Sequence, residues 1–593
     1  MARAKPLQTE DSAPLEPQHL YQLLKSKARR HAETVKKDVL RLSVARAFCS
    51  TVLTSYWAAL CEAQGSKWSI RSHGLSLPTL PDAASRLARD LGVLVSSFPV
   101  EDAGYLVGSI YTVMLPDAMR SDMGAYYTPP PMVSRLLDLA ESAGTDFSTC
   151  TSIDPACGGG AFLAPVALRM LNHTTKSSAK LILADIVSRL SGIELDPFAA
   201  WMTQVLLEAS LLPLCVEAKE RFPQVVTIGD ALKHDELGKF DLVIGNPPYG
   251  RVKLDDAVRS KYARSLYGHA NLYGLFTDLA LRLASKGGVV AYLTPTSFLG
   301  GQYFKALRAI LTSEATPVAF DFISDRDGVF DDVLQETILV AYSVSKSRKS
   351  AAVSMMVPQG LEQASIESVC KVRVPIDGSP WIIPRTKKDA SCVQALSNMP
   401  TRLGDLGYSV STGQLVWNRH KAQLRQAKVD REFPIIWAES VTAGTFSFSA
   451  KRRNHAPYIK IHEQPHLLTR KTCILLQRTT AKEQERRLCS AVIPQSFIDK
   501  HGGVVVENHL NIIYANEDCQ VSAEAVSFIL NSEAADRAFR CISGSVAVSA
   551  YELEAMPLPS VEQSKIVESL LLAGASNNEI EAEIASFYSL ASK

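Results

Sequence analysis

One stretch constrains the fold more than any other: Leu242, Val243 and Ile244, followed at once by Gly245, Asn246, Pro247, Pro248 and Tyr249. Three large apolar residues in a row suit a parallel strand that is covered on both faces. The two prolines donate no ladder hydrogen bond and cannot extend a central strand. The strand therefore ends here, and a stiff loop begins at its carboxyl edge, where open α/β sheets bind ligands. Asn246 offers a side-chain carbonyl oxygen, and a residue before proline is held extended, which helps fix where that oxygen points. Pro247 keeps its backbone carbonyl as a second acceptor, and Tyr249 adds an aromatic face with a polar tip. Two acceptors beside a flat ring suit a planar exocyclic amine: they hold its N–H groups while the ring stacks.

Strand-like and helix-like segments alternate over residues 150–345, which predicts a doubly wound α/β sheet. A short strand ends at Asp154. Pro155, Ala156, Cys157 and three consecutive glycines, Gly158 to Gly160, then lead into a helix over 161–171. A strand, a glycine loop and a helix form a nucleotide site, because glycine lets the backbone turn tightly and approach a ligand. Neither G-x-G-x-x-G nor a following Lys-Ser/Thr is present, so dinucleotide and P-loop readings do not fit. Asp154 stands where a phosphate would sit. It favours a cationic or amine-bearing ligand, such as the methionine end of S-adenosylmethionine with its ammonium and sulfonium. The next strand ends in Gly192, Ile193, Glu194, Leu195 and Asp196, where an acid suits ribose hydroxyls; Glu194 is preferred to Asp196. Asp230, closing the third strand, can accept from an adenine amine. Upstream, Thr128 before Pro129, Pro130 and Pro131 reads as a helix N-cap with proline in the first turn, offering free N–H groups to a ligand carboxylate.

The 593-residue chain has a net charge of only +2, so any nucleic-acid surface must be local. Residues 411–490 hold 15 Lys/Arg against 6 Asp/Glu, and that excess marks a DNA-contact patch. Its candidates are Trp417, Arg419, His420, Lys421, Arg425, Lys451, Arg452, Arg453, Arg478 and Lys482. The eleven cysteines are scattered without a C-x-x-C pair, which suggests neither a metal site nor disulfides and favours a reducing cytoplasm. No signal-like start and no membrane-length apolar run is expected. The expected organisation is a helical N-terminal region over 1–115, an α/β domain over 116–350, a polar, proline-rich linker over 351–400, a mixed unit over 401–560 with Ser411, Thr412 and Gly413 as a turn, and a C-terminal helix over 561–593. Residues 251–272 are polar and basic, as a lid over DNA would be.

The motifs Gly-Ala-Tyr-Tyr-Thr-Pro, Asp-Pro-Ala-Cys-Gly-Gly-Gly-Ala-Phe-Leu, Gly-Ile-Glu-Leu-Asp-Pro, Gly-Asp and Asn-Pro-Pro-Tyr come in this order. Over about 120–345 the chain resembles the gamma class of N6-adenine DNA methyltransferases of type II restriction–modification systems. Gly159 stands where that family usually has serine. The resemblance implies a Rossmann-like, mostly parallel seven-stranded sheet whose antiparallel strand is 337–344, followed by a mixed α+β target-recognition domain. It implies S-adenosylmethionine as cofactor, with Thr128, Asp154, Ala156 and Gly158 at its methionine end, Glu194 on the ribose and Asp230 on the adenine. Asn246 and Pro247 would accept from the target amine, with Pro248 in the same catalytic motif, and Tyr249 would stack on a flipped base. Phe330 is the preferred second aromatic wall, with Phe298 and Tyr303 as alternatives. The implied partners are duplex DNA and a restriction endonuclease of the same specificity. The implied protein is a monomer of the prokaryotic cytoplasm that needs no metal. The other acceptors such a loop suits are an amine in RNA and a protein glutamine amide, but these leave the basic C-terminal region without a role.

Overall fold

The computed structural model describes residues 16–589, apart from 118, 121–127, 235–236, 325–335, 348, 360–362, 397, 428–431, 462–463, 480–485 and 543–546. Four helices come first: α1 (Pro17–Glu33), α2 (Asp38–Ala63), α3 (Asp82–Val95) and α4 (Ala103–Met114). Pro17 opens α1, where the missing N–H would have no helical partner in any case. Helix α2 buries Phe48, Val52, Leu53, Tyr56 and Trp57, and α4 is buried along its whole length. Helices apolar on every face have to be enclosed by neighbours.

The α/β domain adds α5 (Pro130–Ser142), α6 (Leu163–Asn172), α7 (Ala179–Arg189), α8 (Pro197–Ser210), α9 (Leu272–Leu283) and α10 (Lys305–Glu314). Its strands are β1 (Ser152–Asp154), β2 (Leu190–Glu194), β3 (Val226–Ile228), β4 (Phe240–Gly245), β5 (Ala284–Pro295), β6 (Thr316–Ile323), β7 (Thr337–Ser343), β8 (Ala351–Gln359) and β9 (Gln363–Val372). They form one sheet in the order β9-β8-β6-β7-β5-β4-β1-β2-β3. Strands β3, β2, β1, β4 and β5 run parallel, and β7 lies antiparallel between β5 and β6. The strand order reverses at β1, so the carboxyl ends of β1, β2 and β4 surround one crevice.

Two expectations are corrected here. The sheet has nine strands instead of seven, and the extra pair comes from the stretch expected to be linker. Strand β8 pairs parallel with β6 and buries Ala351, Val353 and Met356, while β9 closes the edge antiparallel to β8. The polar stretch at 345–350 and the proline-rich one at 375–385 that suggested a linker flank this pair, and β9 exposes its side chains as an edge strand does.

The N-terminal helices share a core with α8, in which Phe198, Trp201 and Met202 meet Phe48, Val52 and Tyr111. Beneath it lies the fully buried Glu208. Arg71 Nε donates to its Oε2 at 2.7 Å and Arg221 Nη2 at 2.9 Å. Burial pushes this carboxyl up, but the hydrogen bonds and charges of Arg221 and Arg71 outweigh it and hold the group below its ordinary value.

The C-terminal unit is mixed α/β. Strands Tyr408–Thr412, Leu510–Ala515, Cys473–Gln477 and Ser490–Ile493 form an antiparallel sheet beside a second sheet of five short strands. Residues 411–412, expected in a turn, belong to the first of these strands, because Tyr408 to Thr412 pair with Leu510–Ala515. The chain ends in two helices, Val561–Leu572 and Asn577–Phe587, instead of one. Val567, Ile580 and Ile584 share a core with Leu476, Ile513 and Val526, so these helices are part of the unit. Arg308 of α10 joins the unit to the sheet. It donates to the carbonyls of Phe298 at 2.6 Å and Gly301 at 2.9 Å, and to the Tyr551 hydroxyl at 3.1 Å.

Removing Glu208 leaves two guanidinium groups at a buried position without their counter-charge. Glu208→Ala is expected to cost about 3 kcal/mol, the scale of a broken buried ion pair. Chemical denaturation against wild type measures this, and a change below about 1 kcal/mol would contradict it.

Candidate active site

The crevice at the carboxyl ends of β1, β2 and β4 is a cavity of about 620 Å³. It brings together Thr128, Asp154, Ala156, Gly158, Glu194, Asp230, Asn246 and Pro248. Pro247 is buried and Tyr249 half-buried beside it. Of the sequence candidates for cofactor and catalysis, only these last two lie off the wall.

Close backbone approach builds the floor. Gly245 ends β4 against Asp154 on β1, and a Cβ at Gly245 would lie 2.6 Å from Asp154 Oδ1. Gly160, at φ +88°, lets the loop meet α8, where a Cβ would fall 3.1 Å from Thr203 Cα. Asp154 is 1% exposed. Its Oδ1 accepts from the Ala156 N–H at 3.0 Å. Burial, with a smaller contribution from Glu194, pushes its carboxyl up to about 8 against the pull of that one bond. Glu194 takes the Gly158 N–H on Oε2 and the Asp196 N–H on Oε1, each at 2.9 Å, and burial raises it as well. Asp230 accepts from the Leu232 N–H at 3.1 Å, and Lys233 Nζ lies 3.8 Å from its other oxygen. Five carboxylates (Asp154, Glu194, Asp196, Asp230, Asp255) face three cations (Arg46, Lys233, Lys253) around the cavity. A site of this charge suits a cationic ligand, and a carboxyl buried as deeply as Asp154 gains most from one. The donor set therefore fits S-adenosylmethionine.

Thr128 differs from its expected role. The N-cap of α5 is Pro129, and no side chain caps the helix. Pro130 and Pro131 have no N–H to be capped, and the first amide, Met132, already donates to the Pro129 carbonyl at 3.0 Å. The helix start accordingly has no free N–H in its first turn for an anion. Instead Thr128 Oγ1 accepts from Asn246 Nδ2 at 3.2 Å. The Tyr249 hydroxyl donates to Asn246 Oδ1 at 2.6 Å and lies 3.4 Å from the Leu293 carbonyl. Burial raises the Tyr249 phenol, which keeps it a protonated donor. These two bonds orient the amide, and its oxygen keeps a second lone pair for another donor.

Phe330 and Lys482 lie outside the described residues, as do Gly124 to Tyr127 of the first motif. Phe298 is buried against Trp381, with ring centroids 5.7 Å apart, and is not available as an aromatic wall. Tyr303 stands at the surface, its ring 5.4 Å from that of His269.

In the C-terminal unit Arg419, Lys421, Lys451, Arg452 and Arg453 are exposed, and Trp417 and His420 are half-buried. Lys421 Nζ lies 5.6 Å from the Trp417 ring centre, and Arg452 Nε lies 3.4 Å from Glu439. Two candidates are committed to local structure. Arg425 donates to the carbonyls of Ala422 and Leu424 and pairs with Glu432, and Arg478 donates to the Asn508 carbonyl at 3.2 Å.

Sequence reasoning missed the upper wall of the cavity: Leu42 and Arg46 of α2, Tyr111 of α4, and Val252, Leu254 and Val258 from the stretch expected to be a DNA lid. That stretch is a short hairpin (Arg251–Val252 with Ala270–Asn271) enclosing the helix Asp256–Lys261, and its apolar side chains turn to the cavity. For Arg46 there was a signal, since it is the sole charge in the apolar run 42–61.

The strand order with β7 antiparallel, the glycine loop and the acidic cavity define an S-adenosylmethionine-dependent methyltransferase. The model of the Eco57I restriction-modification methylase family matches residues 192–330. The chain is 25% identical over 393 residues to the type II methyltransferase M.BsuBI of Bacillus subtilis, covering 65% of this chain and 74% of that one. It is 23% identical over 511 residues to the type II methyltransferase M.PstI of Providencia stuartii, covering 82% and 94%. Among solved structures, the Type IIL restriction-modification enzyme MmeI in complex with DNA overlays with a TM-score of 0.55 at 12% identity, covering 97% of this chain and 95% of that one. The chain is thus similar to type II restriction–modification methyltransferases over most of its length. No single helix among the described residues is long and apolar enough to cross a membrane, and they hold no cluster of three or more His, Cys, Asp or Glu suited to a metal.

The raised carboxyl of Asp154 has a stability consequence. Its folded value, about 8, lies above the unfolded value near 3.8, so the folded ligand-free protein binds the extra proton between those limits. The contribution is full below about pH 4 and is lost as pH rises through about 8. Asp154→Asn should therefore lose less stability than wild type between about pH 5 and about pH 8. Equal slopes in chemical denaturation at the two pH values would count against this burial.

Proposed function

We propose that the protein moves the methyl group of S-adenosylmethionine to N6 of an adenine in duplex DNA, acting as a monomer and protecting host DNA from a restriction endonuclease of the same specificity. The observation that carries this is the Asn246 amide, oriented by Thr128 and Tyr249 at the mouth of the acidic cavity. When bound, the cofactor supplies an electrophilic methyl group on its sulfonium. Asp154, with Ala156 and Gly158, holds the methionine end, Glu194 the ribose and Asp230 the adenine. Asn246 Oδ1 and the Pro247 carbonyl accept the two N–H groups of the target amine, with Pro248 stiffening the loop. Accepting both draws the nitrogen towards tetrahedral geometry and frees a lone pair that is otherwise delocalised into the ring. Tyr249 stacks on the base. Positioning supplies much of the rate. A base inside a duplex cannot reach this site, so it is flipped out at a cost of a few kcal/mol.

The acceptor is read as DNA because a basic stretch of the C-terminal unit, residues 411–490, accompanies the site, and because the fold overlays a DNA-bound restriction–modification enzyme nearly end to end. RNA or a glutamine amide would leave that unit unused.

Nucleoside mass spectrometry of unmethylated genomic DNA, incubated with protein and S-adenosylmethionine, tests the activity. N6-methyladenine is expected with wild type and not with Asn246→Ala. Unmodified adenine with bound cofactor would sink the reading.

We assign phosphate contacts to Arg419, Lys421, Arg452 and Arg453, with Trp417 and His420 beside them, while Arg425 and Arg478 shape the loops that carry them. Lys421→Ala and Arg453→Ala should each weaken DNA binding across sequences and reduce the slope of log K against log salt by about 1. Unchanged slopes would remove these residues from the interface.

A further inference from the structure

We infer that the N-terminal helices are part of the cofactor site, and that Arg46 of α2 is a positioning residue for Glu194. The inference rests on the reading of the cavity as the S-adenosylmethionine site. Nothing in the catalytic motifs calls for the first hundred residues, yet α2 and α4 line the cavity through Leu42, Arg46 and Tyr111.

The connection runs through Asp196. Arg46 Nη2 donates to Asp196 Oδ1 at 2.8 Å, and the Tyr111 hydroxyl donates to Oδ2 at 3.4 Å. The same Oδ1 caps α8 by accepting the Phe198 N–H at 3.1 Å. The Asp196 N–H in turn donates to Glu194 Oε1 at 2.9 Å, while the Gly158 N–H holds Oε2. Asp196 is thus clamped from the helical region, and its backbone orients the carboxylate assigned to the ribose. The Arg46–Asp196 pair is mostly buried, with side chains 23% and 11% exposed, so solvent screens it only in part. The charges make Arg46 necessary. Asp154, Glu194 and Asp196 crowd this end of the cavity, whereas Lys233 lies at the other end, 3.8 Å from Asp230 and 3.6 Å from Asp255. Without Arg46, Asp196 loses the guanidinium that pairs with it and stands beside Glu194. The turn that presents Glu194 then relaxes away from its position.

Cofactor binding and docking of α2 are therefore linked: each stabilises the other. Isothermal titration of the full chain with S-adenosylmethionine, together with steady-state kinetics, tests this on wild type, Arg46→Gln and Arg46→Lys. Arg46→Gln is expected to weaken cofactor binding about tenfold, the scale of a lost charge-assisted hydrogen bond, and to raise KM for the cofactor by the same factor. KM for DNA and kcat at saturating cofactor should stay near wild type, and Arg46→Lys should restore most of the affinity. Wild-type cofactor affinity in Arg46→Gln overturns the inference alone. A parallel loss of DNA affinity, unrescued by lysine, also overturns it, because it marks a general packing role. If wild type itself binds no S-adenosylmethionine, the reading of the cavity falls and the inference with it.

Discussion

The active site depends on how closely β1 and β4 bring their ends together. Ile153 stands in register with Val243, so the two strands end together, and the missing Cβ at Gly245, one residue past the level of Asp154, leaves room for the Asp154 carboxylate. Any other residue there would push the carboxylate aside or spread the two strands. Asn246 comes next in the chain. One strand pair thus delivers both the acid that favours a cationic ligand and the amide oxygen proposed to accept a target amine. The arrangement has an energetic cost, because a buried carboxyl with a single backbone donor is poorly solvated. The cost is carried by the ligand-free state and relieved when a positive group arrives, so the strain favours binding.

Much of this was legible in the chain. The apolar run of β4, stopped by two prolines, has no other sensible place than the centre of a parallel sheet, and acids at strand ends mark a nucleotide crevice. What was not legible depended on partners far away in sequence. Thr128 fits a capping pattern, but three prolines leave that helix little to cap, and its hydroxyl turns to Asn246, 118 residues away. Strands β8 and β9 were hidden between a polar stretch at 345–350 and a proline-rich one at 375–385, and β9, largely exposed as an edge strand, shows no clean apolar face. Arg425 and Arg478 carry charge that suggested DNA, yet each donates from one guanidinium nitrogen to nearby backbone carbonyls, and Arg425 also pairs with Glu432. Composition counts charges without showing which are already engaged. The helix containing Arg46 mixes apolar and polar residues around its circumference with no single apolar stripe, so periodicity could not say which turn meets the cavity.

The three parts of the molecule are joined by hubs of the same kind. Asp196 and Glu208 tie the N-terminal helices to α8 and the sheet, and Arg308 ties the C-terminal unit to the loop after β5. Each hub is a buried charged group with several partners in fixed directions. Apolar packing around them brings the parts together but is non-directional, whereas the hydrogen bonds set an orientation. Orientation matters in a methyl transfer, where a misplacement of about 1 Å can cost a hundredfold in rate. The cofactor cavity is walled by the first part, the reacting amine is held by the second, and the base is presented by the third on the reading given above. A rigid relation among the three is therefore a requirement of the chemistry, and directional hubs at the joints supply it.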